Sequence, residues 1–348
     1  MIEIDGSLGE GGGQIIRSAL SLSALTGKAF RIVNVRKNRR KPGLRAQHLS
    51  AARAVKEISN ADIEGGKIDS KELRFTPRTY KAGNYRFDIG TAGATPLVLQ
   101  ALLPPLIFGR GDSHMTLSGG THVPISPPFH FIREIFLPTL GQLGISVSAS
   151  ILSYGFYPRG GGLIEAHVRP VGKNGIRSIT FAEGKADGVA RGVSGVANLP
   201  ISIAERQKDA ALNVLSQRGG GAEIELASVP SPGQGTFIFL KSENGPCRGG
   251  FSSIGVRGKR AETVGSEAAQ ALLDYWGTQG CMDPHLADQI VIYLALAEGK
   301  SSFTTTHVTM HLITNLSVIK MFLDIDYTVS GEIGAPGKIT IQGAGFSR

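Results

Sequence analysis

The chain has 348 residues, of which 41% are hydrophobic and 19% charged, which is typical of a globular protein with two domains or with one domain carrying an insertion. No apolar run is long enough to cross a membrane and the glycine-rich start does not resemble a signal peptide, so we expect a cytoplasmic protein. The net charge of +9 is concentrated between Glu10 and Glu57, and a block of one sign on an otherwise balanced chain favours a polyanionic partner such as nucleic acid.

The N-terminal residues predict a β-α-β-α-β-β module. Ile2 to Asp5 has the pattern of a strand, and the glycine-rich turn GSLGEGGG and the apolar helix Gln14 to Leu25 follow it. An amphipathic helix is predicted from Leu44 to Ile58, and the segment ELRFTP indicates a strand pair after it.

The same order of elements recurs in the next part of the chain. A strand at Tyr85 to Ile89 leads through the turn GTAGAT into the helix Pro96 to Ile107. A further helix at Phe131 to Leu143 precedes strands around the turn GFYPRGG and the segment GGLIEAHVRPV. The recurrence predicts a repeated module.

A third copy is predicted near the C-terminus, from the elements Pro284 to Ala297, Phe303 to Thr309, Leu312 to Leu323, Asp326 to Ser330 and Lys338 to Gln342. The segment before this copy does not follow the order of elements of the repeated module. Its predicted elements are Ser178 to Phe181, Gly188 to Val196, Ile201 to Leu215, Glu223 to Leu226, Thr236 to Leu240 and Ala261 to Trp276. The predicted fold is therefore α+β, with three βαβαββ modules in a large domain (1–177 and 278–348) and a smaller α+β domain inserted at 178–277.

The two cysteines, Cys247 and Cys281, fit neither a CxxC pair nor a disulfide framework. We expect both to be buried, unreactive thiols, and their number excludes a cysteine-based metal cluster.

The turn GSLGEGGGQIIRS can expose backbone N–H groups to a phosphate, although it is neither a Rossmann fingerprint nor a P-loop. Glu10 is unexpected there, because a carboxylate repels phosphate unless a divalent cation such as Mg²⁺ lies between them. A solvent-facing turn residue is the alternative.

The segment RKNRRKPGLRAQHLS belongs to a stretch between Glu10 and Glu57 that has eleven Lys and Arg residues and no acidic one. Arginine suits bidentate phosphate contacts, and Gln47 and His48 add directional hydrogen bonds. Because aromatic residues are absent from the segment, we expect it to bind phosphates rather than to stack bases. A solvated basic surface is the alternative.

The sequence pattern alone does not assign a role to three further motifs that contain histidine or aspartate. Asp288 in HLADQ is either a functional carboxylate or a partner of the helix dipole, and His122 and His130 suit a rigid loop wall. In THVTMHLITN, His307 and His311 have the spacing of a helical metal pair, but the Glu of HExxH is missing. His311 would lie at a helix start, which favours a neutral imidazole facing phosphate, so a nucleophile, a metal ligand and a structural or capping residue all remain possible.

Taken together, the motifs resemble those of the RNA 3′-terminal phosphate cyclase family almost from end to end. The similar blocks are DGSLGEGGGQIIRSALSLSALTGK, KPGLRAQHL, YRFDIGTAG, LSGGTHVPISPP, GFYPRGGG, LADQ and HLITN, in that order. The resemblance implies three repeats with an inserted domain. It also implies that ATP forms a covalent histidine–AMP, that AMP passes to an RNA 3′-phosphate, and that the neighbouring 2′-hydroxyl then displaces AMP.

The resemblance also implies roles for individual residues. His311 would be the nucleophile, and Glu10 would hold Mg²⁺ or Mn²⁺. Phosphates of ATP or RNA would be bound by Arg17, Arg36, Arg39, Gln47 and His48, and the ATP site would include His285, Asp288 and Gln289. His285 departs from the Tyr of bacterial relatives, although an imidazole can also stack on adenine.

Two other classes of protein are considered beside the enzyme. A catalytically inactive cyclase-like protein that binds RNA in ribosome assembly would be expected to lack the nucleophile, and His311 is present. An enzyme of the related enolpyruvyl-transferase architecture would need neither a histidine nucleophile nor a basic block.

Overall fold

Four four-stranded sheets with helices packed on them form the part of the chain that the computed structural model describes, residues 1–173, 175–181 and 189–347. This arrangement confirms the predicted α+β class. No helix within those ranges is both long enough and apolar enough to cross a membrane.

The first sheet has the strand order β1-β2-β4-β3, with β1 and β2 parallel and the other pairs antiparallel. One face of β2 is buried because Phe30 and Ile32 point to the same side of the strand, and both are fully buried, whereas the alternate residues Arg31 and Val33 are half-buried. The elements are β1 (Ile2–Asp5), α1 (Gly13–Thr26), β2 (Phe30–Val33), α2 (Ala46–Ser59), β3 (Asp62–Glu64) and β4 (Leu73–Thr76).

The second sheet has the order β5-β6-β8-β7, again with one parallel pair at the start. The single helix predicted at Phe131 to Leu143 is interrupted by a π-helical turn at Ile132–Phe136. Pro138 has no N–H to donate and its ring displaces the carbonyl four residues earlier, which accounts for the interruption. The elements are β5 (Asn84–Asp88), α3 (Thr95–Leu106), β6 (Ser113–Gly119), α4 (Phe129–Phe131), α5 (Leu137–Gln142), β7 (Ser146–Ser153) and β8 (Gly162–Arg169).

A short strand, β9 (Thr180–Phe181), comes before a separate unit that we call the α6–α7 unit. In this unit two helices cover one face of a sheet with the order β11-β10-β12-β13. Its elements are β10 (Val189–Ala197), α6 (Ser202–Ser216), β11 (Gly221–Ser228), β12 (Gly235–Asn244), β13 (Cys247–Ile254) and α7 (Ala261–Trp276). The strand predicted from Gly188 has its first residue outside the described ranges.

The last sheet has the order β15-β16-β14-β9, so β9 pairs with β14 and not with the strands of the α6–α7 unit, with which the sequence grouped it. The strand predicted at Phe303 to Thr309 lies earlier and ends at Thr305. The helix predicted from Leu312 begins at Met310, because the Thr309 side chain caps it by accepting from the Leu312 N–H. The elements are α8 (Pro284–Leu296), β14 (Glu298–Thr305), α9 (Met310–Phe322), β15 (Asp326–Ser330) and β16 (Gly337–Ala344).

Cys247 and Cys281 form a disulfide, so the prediction of two free thiols is wrong. Cys247 begins β13 and Cys281 precedes α8, and the Arg248 N–H donates to the Cys281 carbonyl at 3.0 Å. This backbone contact brings together two cysteines that are 34 residues apart, a proximity that sequence spacing does not reveal. The disulfide ties the α6–α7 unit to the start of α8.

Removing the disulfide by the double change Cys247→Ser and Cys281→Ser should destabilise the protein. Opening a 34-residue separation restores loop entropy to the unfolded chain, with an expected loss of roughly 3–4 kcal/mol. Urea unfolding of the wild type should shift to the midpoint of the variant when reductant is added, whereas the variant should not respond. A wild-type midpoint insensitive to reductant would contradict the expectation.

Candidate active site

A cavity of about 740 Å³ lies between the α1, α8 and α9 helices on one side and the α6–α7 unit on the other. Its volume is in the range of nucleotide-sized ligand sites. The wall from the first group of helices is polar, with Gln14, Arg17, His285, Asp288, Gln289, His311 and Asn315. The opposite wall is contributed by β13 and α7, among others by Phe251, Ser253, Lys259 and Glu267.

His311 lies in the first turn of α9, at the cavity, with 39% of its side chain exposed. Its carbonyl accepts a hydrogen bond from Gln14 Nε2 at 2.6 Å, which fixes the start of α9 to α1. Its Nδ1 is 3.1 Å from Glu10 Oε1. A carboxylate at Nδ1 favours the tautomer with the proton on that nitrogen, so the Nε2 lone pair is available for nucleophilic attack.

The structure separates the two histidines of THVTMHLITN. His307 precedes α9, and its Nδ1 contacts Thr306 Oγ1 at 3.1 Å. The two imidazoles therefore do not share a helix face, as a metal-binding pair at this spacing would. Throughout the described ranges there is no cluster of three or more His, Cys, Asp or Glu side chains suited to a metal ion.

Glu10 lies at the tip of the turn between β1 and α1. Its Oε2 accepts from Arg39 Nη2 at 2.9 Å, while its Oε1 faces His311. Gly9 has φ of +53°, and a Cβ at this position would lie 2.2 Å from Thr314 Oγ1. Glycine therefore allows the turn to pack closely on α9, and this close packing brings Glu10 to His311.

Arg17 and His48 are two donors beside the start of α1, of which His48 is buried and Arg17 is half-buried at the cavity. Burial lowers the pKa of Arg17 to about 10, so it stays cationic at neutral pH. No described residue provides its guanidinium with a hydrogen bond or an ion pair. His48 Nδ1 accepts from the Arg45 N–H at 3.1 Å, which leaves the proton on Nε2. Burial, reinforced by the charge of Arg17, lowers the pKa of His48 to about 3, so this imidazole is a neutral donor.

Asp288 lines the cavity and is held from two sides by the start of α9. The Thr309 hydroxyl donates to its Oδ1, and Asn315 Nδ2 donates to its carbonyl at 2.6 Å. Burial raises the pKa of Asp288 to about 8, with smaller contributions from the charges of Asp283 and Glu10. At neutral pH the carboxyl is therefore mostly protonated and can donate a hydrogen bond.

Of four other predicted site residues, two line the cavity and two do not. His285 is exposed and Gln289 is held by Gln100, and both line the cavity. Arg36 does not line it. Its Nη1 donates to the carbonyls of Lys41 at 2.8 Å and Gly43 at 3.2 Å. Gln47 is also outside the cavity wall, beside Gly93 of the second glycine-rich turn.

Sequence reasoning missed four polar side chains that organise the site, namely Gln14, Ser18, Thr309 and Asn315. Ser18 Oγ donates to Asn315 Oδ1 at 2.7 Å, and Gln14 contacts the backbone of α9. Gln14 and Asn315 both lie in the motifs quoted above, but no sequence pattern shows that α1 faces α9. Thr309 was detectable, because a threonine directly before an apolar helical run is a typical N-cap.

His122 and His130 are buried and hydrogen-bonded to each other, with 2.9 Å between His122 Nε2 and His130 Nδ1. Burial lowers the pKa of His130 to about 4, and that of His122 well below its usual value. Their rings pack against Phe237 of the α6–α7 unit, with centroid distances of 4.5 and 5.0 Å. They therefore join this unit to the second sheet and do not reach the cavity wall.

The family model and the related sequences agree on one family. The family model described as RNA 3′-terminal phosphate cyclase matches residues 8–329. The chain therefore belongs to the RNA 3′-terminal phosphate cyclase family. Relatives that bear this name include one from Archaeoglobus fulgidus, 46% identical over 93% of this chain and 96% of the relative, and one from Desulfurococcus amylolyticus, 42% identical over 99% of both.

Another relative of that name, from Ignicoccus hospitalis, is 41% identical over the full length of both chains. Among solved structures, the enolpyruvyl transferase NikO from Streptomyces tendae aligns with a TM-score of 0.41 at 10% identity, covering 98% of this chain and 48% of that one.

Replacing Asp288 by Asn should change how stability depends on pH. The pKa of Asp288 is about 8 when folded and 3.8 in its unperturbed state, so the folded protein binds this proton more tightly. Its contribution to stability is fully present below about pH 4 and is lost as pH rises through about 8. The wild-type free energy of unfolding should therefore fall between these values relative to Asp288→Asn. The free energy of unfolding of each protein is measured by urea unfolding at several pH values in this range. If it depends on pH in the same way for wild type and Asp288→Asn, Asp288 is ionised in the folded state.

Proposed function

We propose that this protein is an ATP-dependent RNA 3′-terminal phosphate cyclase in which His311 carries AMP. The observation that carries the proposal is the contact between His311 Nδ1 and Glu10 at a nucleotide-sized cavity, because it leaves Nε2 free to attack. Membership of the family supports the same reaction. The substrates are ATP and an RNA with a 3′-phosphate, and we place the reaction in the cytoplasm, where both are available.

In the first step, His311 Nε2 attacks the α-phosphorus of ATP, a P–N bond forms, and pyrophosphate leaves. The imidazole gains positive charge in this step, and the Glu10 carboxylate at Nδ1 stabilises that charge. A cation that lacks a counter-ion, such as Arg17, is suited to the negative charge that develops on the phosphate oxygens.

In the next two steps, an oxygen of the RNA 3′-phosphate attacks the AMP phosphorus and the P–N bond breaks. The adjacent 2′-hydroxyl then attacks the 3′-phosphorus, loses its proton to solvent, and releases AMP. A phosphate monoester is a poor electrophile because its charge repels nucleophiles and its oxygen leaves badly. Adenylation supplies the leaving group that the monoester lacks.

Glu10 fits a divalent cation of the kind that nucleotides bring with them. Mg²⁺ and Mn²⁺ usually take one or two carboxylates and complete their shell with phosphate oxygens and water. The two Glu10 oxygens contact Arg39 and His311, but a carboxylate has further lone pairs for a cation. Such an ion would neutralise phosphate charge. The largely protonated Asp288 is not suited to share this role.

We assign the remaining predicted residues to ATP and RNA by their positions. His285 is exposed at the cavity and can stack on adenine, while Asp288 and Gln289 line the same wall and can hydrogen-bond to the nucleotide. Arg17, Arg39 and the Nε2 proton of His48 are donors for phosphates. Arg36 and Gln47, which lie outside the cavity wall, would contact the RNA backbone leading to it.

The strand orders support the proposal of three βαβαββ modules. β1-β2-β4-β3 and β5-β6-β8-β7 have the same plan, and β9-β14-β16-β15 repeats it when α8 is counted as the first helix. We propose a large domain of residues 1–177 and 278–348, interrupted by a domain at 178–277. The pairing of β9 with β14 favours a junction a few residues beyond 178.

Incubation with ATP labelled at the α-phosphate and Mg²⁺ or Mn²⁺ should label the protein through an acid-labile, alkali-stable bond. His311→Ala should remove all label, because no other imidazole in the described ranges contacts Glu10. His307→Ala is the matched control from the same motif and should retain labelling. Full labelling of His311→Ala would disprove the assignment, and an absence of label in wild type would favour an inactive RNA-binding protein.

A 3′-phosphorylated RNA whose last sugar is 2′-deoxy should separate transfer from ring closure. It can accept AMP from His311 but has no 2′-hydroxyl to displace it, so a terminal adenylate should accumulate. The ribose substrate should proceed to the 2′,3′-cyclic phosphate, since a well-aligned intramolecular hydroxyl has an effective molarity on the order of 10⁵ M or more. Cyclisation of the ribose substrate without ATP consumption would contradict this order of steps.

A further inference from the structure

Ile125 has an exposed side chain and a strained backbone, and it lies at the rim of the cavity. It is fully exposed, and its φ of +60° is a conformation that a β-branched residue rarely adopts. The residue lies in a turn between Pro124 and Ser126, whose hydroxyl donates to the Val123 carbonyl at 3.0 Å. Glycine or asparagine would fit this backbone without strain, so nothing in the folding of the turn requires isoleucine.

Val256 is a second exposed apolar side chain that lines the same cavity, and it lies on a different loop. It is 50% exposed and belongs to the loop between β13 and α7, whereas Ile125 belongs to the loop before α4. The other large apolar residues of the wall are buried, like Phe131, Phe136, Phe251 and Tyr293, or half-buried, like Ile254 and Ile292. The cavity therefore has a buried apolar interior and an exposed apolar rim.

On the proposed function, AMP stays bound to His311 when the RNA arrives. The interior is then filled by the nucleotide, and the RNA end must approach across the rim. We infer that Ile125, together with Val256, packs against the base of the 3′-terminal nucleotide of the RNA. Because all four bases have an apolar face, such a contact holds the end of the RNA without selecting its sequence.

The inference rests on the proposed function and is tested by separating adenylation of His311 from AMP transfer. Ile125→Gly removes the side chain and relieves the positive φ, so its Tm should not fall. Its labelling by ATP alone should equal that of wild type. Transfer of AMP to a 3′-phosphorylated RNA should be slower by roughly fivefold to tenfold in kcat/KM, the loss expected for one apolar contact.

An RNA whose last nucleotide has no base identifies the group that is contacted. Wild type should transfer AMP to this abasic end several times more slowly than to the normal end, whereas Ile125→Gly should not distinguish the two. Leu226→Ala, which truncates an exposed apolar residue on β11, is the control and should distinguish them as wild type does.

Three outcomes would overturn the inference. Equal discrimination by Ile125→Gly and wild type would show that the side chain does not contact the base. A loss of labelling by ATP as large as the loss of transfer would place the contact on adenosine instead. An absence of AMP on His311 in wild type would overturn the proposed function and this inference together.

Discussion

The contact between Glu10 and His311 joins residues that are 301 positions apart, and the site depends on it. It exists because α1 packs against α9, with Gln14 and Ser18 of α1 bonded to the backbone of His311 and to the side chain of Asn315. Buried polar side chains must find partners, so these bonds fix how α9 lies along α1. The position of the imidazole is therefore set by helix packing as well as by its own turn.

The second wall of the cavity requires the α6–α7 unit to be held firmly against the rest of the chain. Four different interactions do this. The disulfide ties β13 to the segment before α8, the Gly250 N–H donates to the buried Asp283 that caps α8, and Lys241 pairs with Glu134 at 3.0 Å. Aromatic packing of Phe237 on the two buried histidines adds an apolar contact. An attachment at several points keeps both walls of the cavity at a fixed distance.

Local sequence determined some of the structure and not the rest. The helix Ala261–Trp276 and the strand Asp326–Ser330 match their predictions, because periodicity and turn residues delimit both. β13 was missed because Gly249 and Gly250 interrupt its strand pattern, although their missing side chains make room for Phe251 and Ile135. The cysteine pairing and the use of Arg36 on loop carbonyls depend on long-range or backbone contacts, which spacing does not encode.

The electrostatics of the polar wall explain why that side of the cavity is suited to phosphates. Burial keeps Asp288 largely protonated, so this carboxyl does not repel a phosphate, and it keeps His48 a neutral hydrogen-bond donor. Glu10 remains, but Arg39 and His311 share its carboxylate. Arg17 is then a half-buried cation at the cavity that lacks a partner within the described residues. Removing part of a cation from water costs free energy unless an opposite charge or hydrogen bonds compensate for it. A phosphate group bound beside Arg17 would supply the missing counter-ion, so part of its binding free energy would come from pairing this partly desolvated charge.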